Sequence, residues 1–348
     1  MTKAFPTAVR PTTARKAAAV LALVAVAGAS VTACGGRKDA PKADSGGQIT
    51  CTVDTDTRVG IATGNATGVY FTLGNAYAEQ ISAATDGRVK ATAAETGASV
   101  QNIQQVVAGT YQVAFALADT AADAVAGTAA FTDKQPIAAL ARLYPNYTQV
   151  IARKDSGITS LDGMRGKRIS TGSPGSGTEV IANRLLEAAG LNPESDVAAQ
   201  RLDLTKTVDG MKDGAIDAMF FSGGLPTPGI TDLMTSARGE VEFVDVTPQL
   251  TKLQEIGPAY ESGVIPAATY GLAADVPTIT VANLLVARDD LDANLGCVLT
   301  KALFERKPQL EQAAPAAKGI SLDTARDTAP VPLNRGSQRA LDELKAPS

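Results

Sequence analysis

The 348-residue chain contains no histidine and no tryptophan, and aromatic residues make up only 4% of it. Without histidine, the chain cannot form histidine-containing zinc sites or the Ser-His-Asp and Cys-His catalytic systems. Alanine and branched aliphatic residues must therefore fill the core, and a hydrophobic content of 45% is sufficient for that. The net charge of −4, without clustered lysine and arginine, argues against a nucleic-acid surface.

Cysteine is scarce as well: Cys34, Cys51 and Cys297 are the three in the chain. No two of them form a C-x-x-C pair, so neither a zinc site nor a thioredoxin-like redox site is expected. We predict that the protein uses no metal and no cofactor.

The N-terminus has the pattern of an export signal. Residues 1–16 carry four basic residues and no acidic one, and the apolar run at 17–29 that follows is shorter than the ~20 residues that span a bilayer. The run ends in VTAC at 31–34, followed by two glycines, which resembles a bacterial lipobox. A plain signal peptide with an incidental cysteine is the alternative.

We predict a signal peptide over residues 1–33, lipid attachment at Cys34 and a flexible tether over 34–50, which is rich in small and polar residues. The protein would then be anchored on the extracytoplasmic face of the cell membrane. Outside the cytoplasm, the remaining Cys51 and Cys297 can pair, the alternative being two separate buried thiols. We predict the disulfide, which would tie the start of the folded body to a C-terminal helix.

The body of the chain has an alternating strand and helix pattern. A β-branched run at 57–63 is followed by apolar residues at helical spacing from Val69 to Ile81, and further strands are predicted at 89–94 and 113–117. This order implies right-handed crossovers and a parallel sheet.

The pattern then restarts, with strands predicted at 148–152, 168–171 and 215–221. Irregular, proline-containing joints at 142–145 and 263–270 flank this second unit. We predict an α/β fold of two lobes, each a mostly parallel sheet flanked by helices, with the ligand in the cleft between them. The predicted bounds are 51–144 plus 265–348 for lobe 1 and 145–264 for lobe 2.

Three strand-to-helix turns, at 63–68, 118–120 and 173–178, carry small or polar residues. Ligands of doubly wound sheets bind at the carboxyl ends of the strands, where helix N-termini favour anions. Singly, Thr67, Asp119 and Ser176 are better explained as helix N-caps. Together, on two lobes, the turns predict a small anionic ligand, and the loop at 222–226 is either a fourth such turn or an ordinary one.

The third turn has the glycine spacing of a nucleotide-binding P-loop, from Gly172 to Gly177. The lysine of that motif is missing, because Thr178 follows Gly177 directly. Nucleotide hydrolysis is therefore not expected.

Several ordered segments resemble the TAXI group of TRAP-transporter solute-binding proteins. These are IATGNATGVYFTLG at 61–74, the segment 97–119, the segment 156–190 with its GSPGSGT core, and DGAIDAMFFSGGLPTP at 213–228. The resemblance implies a type II-like periplasmic-binding-protein fold that captures a small carboxylate. The ligand residues it implies are Thr63, Gly64, Thr67, Gly68, Tyr70, Asp119, Ser173, Gly175, Ser176, Gly177, Thr178 and Gly223. The chain departs from the family at Ala118, where a serine is common, and at Thr72, where a proline is usual.

The function that the resemblance implies is the solute-binding subunit of a TRAP-type secondary transporter. It would bind a glutamate-like amino acid or a dicarboxylate by lobe closure and pass it to a membrane permease. We expect a monomer that is not an enzyme and does not bind nucleic acid. A surface sensor that is not coupled to transport is the alternative. A hydrolase using Ser176 would need a lysine base, and no S-x-x-K motif surrounds that serine.

Overall fold

The computed structural model describes residues 47–345 of the chain. The predicted signal peptide, Cys34 and most of the predicted tether lie outside the described residues. No helix within residues 47–345 is both long enough and apolar enough to cross a membrane.

Strands and helices alternate at the start of the described chain, as the apolar spacing predicts. Val69, Leu73, Tyr77 and Ile81 are buried along one face of the first helix. The third strand is buried along its whole length, as expected of a strand covered by helices on both faces. These elements are β1 (Thr57–Ala62), α1 (Val69–Ala84), β2 (Val89–Ala94), α2 (Ser99–Val107) and β3 (Val113–Leu117).

The remaining elements include two long strands: one of 17 residues, of which the sequence predicted only 148–152, and one of 13 residues, where no strand was predicted. The elements of the middle of the chain are α3 (Ala118–Ala126), β4 (Ile137–Arg153), β5 (Arg168–Ser170), α4 (Gly177–Ala188), β6 (Ala198–Gln200), α5 (Leu204–Lys212), β7 (Ala218–Gly223), α6 (Pro228–Ser236), β8 (Val241–Phe243) and α7 (Leu250–Ile256). Those of the last part are β9 (Tyr260–Ile265), α8 (Ala267–Tyr270), β10 (Val276–Arg288), α9 (Ala293–Glu305), α10 (Lys307–Ala313) and α11 (Arg335–Lys345).

The strands of the described chain form one sheet in the order β2-β1-β3-β10-β4-β7-β5-β6, with β8 paired to β4 and β9 paired to β10. β1 is parallel to β2 and β3, and β5 is parallel to β6 and β7. β4 and β10 lie between these two groups and are antiparallel to their neighbours. Two parallel groups flanked by helices confirm the predicted α/β class.

The irregular joint predicted at 142–145 is wrong, because these residues lie inside the 17-residue strand β4. Pro145 is paired with Ala282 of β10, next to a register shift between Ala282 and Leu284. A proline has no N–H to donate, and an irregular place in the ladder accommodates it. The proline therefore marks a local irregularity and does not end the strand.

Both long strands pass from one hydrophobic core to another. β4 contributes Leu140 to the core around α1 and Val150 to the core around α4. β10 contributes Leu285 to the first core and Ile279 to the second. Lobe 1 denotes the predicted part formed by residues 51–144 and 265–348, and lobe 2 the predicted part formed by residues 145–264.

Cys51 and Cys297 form a disulfide, with a Cα–Cα distance of 5.1 Å. Cys297 is fully buried in α9. The side chain of Asn294, one turn earlier on α9, accepts hydrogen bonds from the backbone N–H groups of Thr50 and Cys51 at 2.7 and 3.1 Å. The start of the folded body is thus fixed to α9 by a covalent bond and by hydrogen bonds.

Candidate functional site

A cavity of about 40 Å³ lies where the turn after β1 faces the turn after β5. The lining residues of lobe 1 are Gly64, Asn65, Gly68, Val69, Tyr70, Ala98, Ser99 and Leu117. Those of lobe 2 are Asn146, Gly172, Ser173, Ser176, Gly177, Thr178, Leu202, Leu204, Thr207, Phe220, Phe221, Ser222, Gly223 and Gly224. Eight residues of the predicted ligand set line this cavity: Gly64, Gly68, Tyr70, Ser173, Ser176, Gly177, Thr178 and Gly223.

The first turns of four helices, α1, α2, α4 and α5, reach this cavity through Val69, Ser99, Gly177 and Leu204. The first N–H groups of a helix have no partner within the helix, and they give that end a partial positive charge. None of the lining residues carries a charged side chain. The cavity can therefore attract an anion through backbone N–H groups and helix dipoles, without a lysine or arginine.

The turn between β5 and α4 is shaped by glycine. Gly172 has φ +98°, and a Cβ atom there would lie 2.7 Å from Cγ2 of Thr178, so a larger residue would displace Thr178. Ser176 is the N-cap of α4, and its Oγ accepts the backbone N–H of Glu179 at 3.0 Å. The N-cap alternative is thus the observed role of the Ser176 oxygen, while its own O–H hydrogen remains available to a ligand.

Asn65, in the turn between β1 and α1, connects the two sides of the cavity directly. Its Nδ2 donates to Ser173 Oγ at 3.0 Å, and its Oδ1 accepts the backbone N–H of Leu204 at 3.2 Å. A further bond between the lobes joins the N–H of Gln101 to the carbonyl of Gly175 at 3.0 Å. The two predicted lobes are therefore in direct contact.

Asn146 and Ser222 form the wall of the cavity on β4 and β7. Asn146 Nδ2 donates to Ser222 Oγ at 3.0 Å, and the N–H of Ser222 donates to Thr178 Oγ1 at 3.1 Å. Asn146 is only 2% exposed, and its Oδ1 has no hydrogen-bond partner.

Neither Asn65, which lies within the predicted ligand turn at 63–68, nor Asn146 belongs to the predicted ligand set. Asn146 stands in a polar stretch of β4 that also contains Thr148 and Gln149, so no local signal distinguishes it.

Tyr70 connects the cavity to the long strands. Its O–H donates to Asn283 Oδ1 at 2.5 Å, and its ring stacks on Phe115 with a centroid distance of 5.2 Å. Asn283 Nδ2 in turn donates to the carbonyl of Tyr144 at 2.8 Å. Burial raises the pKa of Tyr70 far above its usual value, so the phenol stays protonated and remains a donor.

Four residues of the predicted ligand set do not line the cavity. The Thr63 hydroxyl donates to the carbonyl of Ala94 at 2.5 Å, which joins β1 to β2. Thr67 is half-buried, with its Oγ1 3.3 Å from that of Thr205. Gly175 lies on the outer side of its turn, where its N–H donates to the Glu179 carboxylate at 2.8 Å. The fourth, Asp119, belongs to an ion-pair cluster.

Asp119 is buried in an ion-pair cluster that joins α3 of lobe 1 to α4 of lobe 2. Arg184 on α4 contacts Asp119 at 3.3 Å and Asp123 at 2.7 Å, and Tyr260 donates to Asp119 at 2.7 Å. The Asp119 and Arg184 side chains are only 2% and 11% exposed. Asp119 therefore holds the lobes together in this structure and does not face the cavity.

Protonation states in this cluster follow from burial and charge. Burial raises the pKa of Asp123, against the opposing effect of Arg184. Burial alone would lower the pKa of Arg184, but Tyr260, Asp119 and Asp123 raise it overall, so the guanidinium stays charged. Burial, reinforced by Asp119, also raises the pKa of Tyr260, which stays a hydrogen-bond donor.

Comparison with known proteins shows the family and the fold. The NMT1-like family model matches residues 61–344, nearly all of the described chain. A solved structure of a protein from Bordetella bronchiseptica RB50 superimposes with a TM-score of 0.54 at 18% identity, covering 83% of this chain and 98% of that one. A binding protein component of an ABC phosphonate transporter from Pseudomonas aeruginosa gives 0.51 at 14% identity, covering 83% of this chain and 95% of that one. The chain therefore belongs to the NMT1-like family and has the periplasmic-binding-protein fold.

Proposed function

We propose that the protein is the extracytoplasmic solute-binding subunit of a TRAP-type transporter of the TAXI group. It captures a small carboxylate between its lobes and delivers it to a membrane permease, while the lipid on Cys34 holds it at the outer face of the membrane. The observation that carries this proposal is the convergence of four helix N-termini on one uncharged cavity between the lobes.

The geometry favours an anion over a cation or a neutral sugar. Helix N-termini stabilise negative charge, and their unpaired N–H groups match carboxylate oxygens. The N–H groups of Gln101, Glu179 and Leu204 already have protein acceptors, so the remaining unpaired N–H groups of these first turns would bind the ligand.

The hydroxyl groups of Ser176 and Thr178 already accept a backbone N–H each, so their hydrogens add two donors. The apolar side chains of Leu117, Leu202 and Phe220 also line the cavity.

The contacts between the lobes indicate how capture works. The cavity is small and lies between facing turns of the two lobes, so the ligand has to enter with the lobes further apart. In the closed arrangement Asn65, Gln101 and Arg184 bond across the cleft. A ligand that engages helix N-termini of both lobes favours this form, because only the closed form presents all the donors together.

A thermal-shift screen tests the proposed ligand class. The compounds are small monocarboxylates, dicarboxylates, amino acids and, because one structural neighbour belongs to a phosphonate transporter, methylphosphonate. A ligand at ~100 times its Kd stabilises the folded protein by ~2.7 kcal/mol, which is an easily measured increase in Tm. Stabilisation by neutral sugars, with no response to any anion, would contradict the proposal.

Substitution of Thr178 tests the site itself. Thr178→Val removes the hydroxyl at nearly constant shape and should weaken binding of a charged ligand by ~1.5–3 kcal/mol, or tenfold to over a hundredfold. It also leaves the N–H of Ser222 without its partner, so a loss of ~1–3 kcal/mol of stability is expected too. The matched control, Thr178→Ser, keeps the hydroxyl and should bind nearly as well as the unsubstituted protein.

An uptake experiment in cells distinguishes a role in transport from a role in sensing. If the protein serves a permease, deletion of its gene abolishes uptake of the labelled ligand found in the screen. If it is a surface sensor, uptake continues and only the response to the ligand is lost.

A further inference from the structure

Four side-chain oxygen atoms in the described part of the chain are buried without a hydrogen-bond partner. They belong to Gln105, Tyr144, Asn146 and Thr148. Of these residues, only Asn146 lines the cavity. Buried polar atoms in folded proteins nearly always have partners, so an unpaired acceptor at a ligand cavity calls for a complementary group.

The Asn146 amide is held in place by its neighbours. It is 2% exposed, its Nδ2 donates to Ser222 Oγ, and Ser222 itself is bound to Thr178. With Nδ2 engaged in this way, Oδ1 remains as the free acceptor. The other polar groups of the cavity wall considered above, the helix N–H groups and the hydroxyls of Ser176 and Thr178, offer hydrogens.

We propose that Asn146 determines ligand specificity, its Oδ1 accepting a hydrogen bond from an ammonium or hydroxyl group of the bound carboxylate. This inference rests on the proposed function and narrows its ligand class to carboxylates that carry a hydrogen-bond donor. The helix N-termini bind the carboxylate end, and Asn146 selects the donor group. A plain carboxylate of the same length would bury Oδ1 without a partner and would bind more weakly.

Calorimetric titration of the full folded protein with two matched series tests this directly. The first series is propionate, lactate and alanine, and the second is glutarate, 2-hydroxyglutarate and glutamate. In at least one series, the hydroxy or amino member should bind about tenfold or more tightly than the plain acid. Comparison of the hydroxy with the amino member identifies which donor the site prefers. Equal affinities within about threefold across both series would overturn the inference.

Substitution of Asn146 tests whether this residue causes the preference for donor-bearing acids. Asn146→Leu removes the acceptor and should reduce the preference for the donor-bearing acid to about threefold or less. Asn146→Asp keeps an acceptor, so it should keep the preference even if overall affinity for anions falls. Thr148→Val is the matched control, because Thr148 is the next residue on the same face of β4, is equally buried, and does not line the cavity. It should leave the preference unchanged.

The failures of the two proposals are distinguishable. If anions bind but the plain and donor-bearing acids bind equally, the role of Asn146 is wrong and the anion site stands. If none of the six acids binds or raises the Tm, the carboxylate proposal and the inference are both wrong. Loss of the preference in Thr148→Val as well as in Asn146→Leu would also overturn the assignment to Asn146.

Discussion

Replacement of Arg184 by methionine should destabilise the protein more than the loss of any exposed ion pair. Methionine has a similar length, so the change removes the charge while keeping much of the side-chain volume. Arg184 neutralises Asp119, which is 2% exposed, and Asp123, which is 14% exposed. Removing one partner of a buried ion pair typically costs ~3–5 kcal/mol, because it leaves an uncompensated charge in the interior.

The loss of unfolding free energy for Arg184→Met should lie within this range of ~3–5 kcal/mol and not above it. Asp119 keeps hydrogen bonds from Tyr260 and from the N–H of Thr120, which continue to stabilise its charge. In a chain somewhat smaller than this one, each kcal/mol of lost stability lowers the Tm by ~2–4 °C. The Tm of the ligand-free protein should therefore fall by ~10 °C. Calorimetric or circular-dichroism melting measures this change.

The matched control is Arg168→Met. Arg168 forms a two-bond ion pair with Asp217, but its side chain is 47% exposed, so its loss should cost less than ~1 kcal/mol. If Arg184→Met lowers the Tm no more than Arg168→Met does, burial does not make the Arg184 ion pairs more stabilising than an exposed pair, and the reasoning is refuted. In a double-mutant cycle, Arg184→Met combined with Asp119→Asn should cost less than the sum of the single changes.

Three further predictions concern the termini and the surface. Replacing both Cys51 and Cys297 by alanine should lower the free energy of unfolding by ~2–4 kcal/mol in denaturant titration, because the disulfide closes a loop with a sequence separation of 246 residues; an unchanged midpoint would contradict this. The hydrogen bond from Arg168 lowers the pKa of Asp217, so its stabilisation is present above the unfolded pKa of ~3.9 and is lost as the pH falls through the lower folded value. Asp217→Asn should therefore flatten the decline of Tm between about pH 5 and 2, and an identical decline in both proteins would refute it. Cys34→Ala should release the protein from washed membranes in fractionation, and its retention there would show that Cys34 carries no anchor.

Regular local patterns predicted the fold well. The four-residue spacing of apolar residues in α1 and the continuous apolar run of β3 each describe one element that is buried by its own neighbours. The turn at 173–178 was predicted because glycine and serine next to a helix start are recognisable from adjacent residues. Such signals are local, so a single sequence carries them.

The long strands and most of the residues that line the cavity could not be predicted from local patterns. Pro145 indicated a break in β4, and only its pairing with Ala282 at an irregular place in the ladder explains why the strand continues. Asn65 and Asn146 act through partners 108 and 76 residues away, which no local pattern reveals. Asp119 was predicted as a ligand residue from its turn, but the charge that engages it lies 65 residues further along the chain.

The passage of β4 and β10 through both cores has a consequence for how the molecule can be divided. Because each strand supplies side chains to both sides, an isolated lobe would lose part of its core and would expose unpaired backbone along two strand edges. We therefore predict that the two lobes unfold together and do not fold as independent domains joined by linkers. For the design of a ligand reporter, foreign segments belong at exposed loop positions such as 128–130. A break in either of the two shared strands would disrupt both cores.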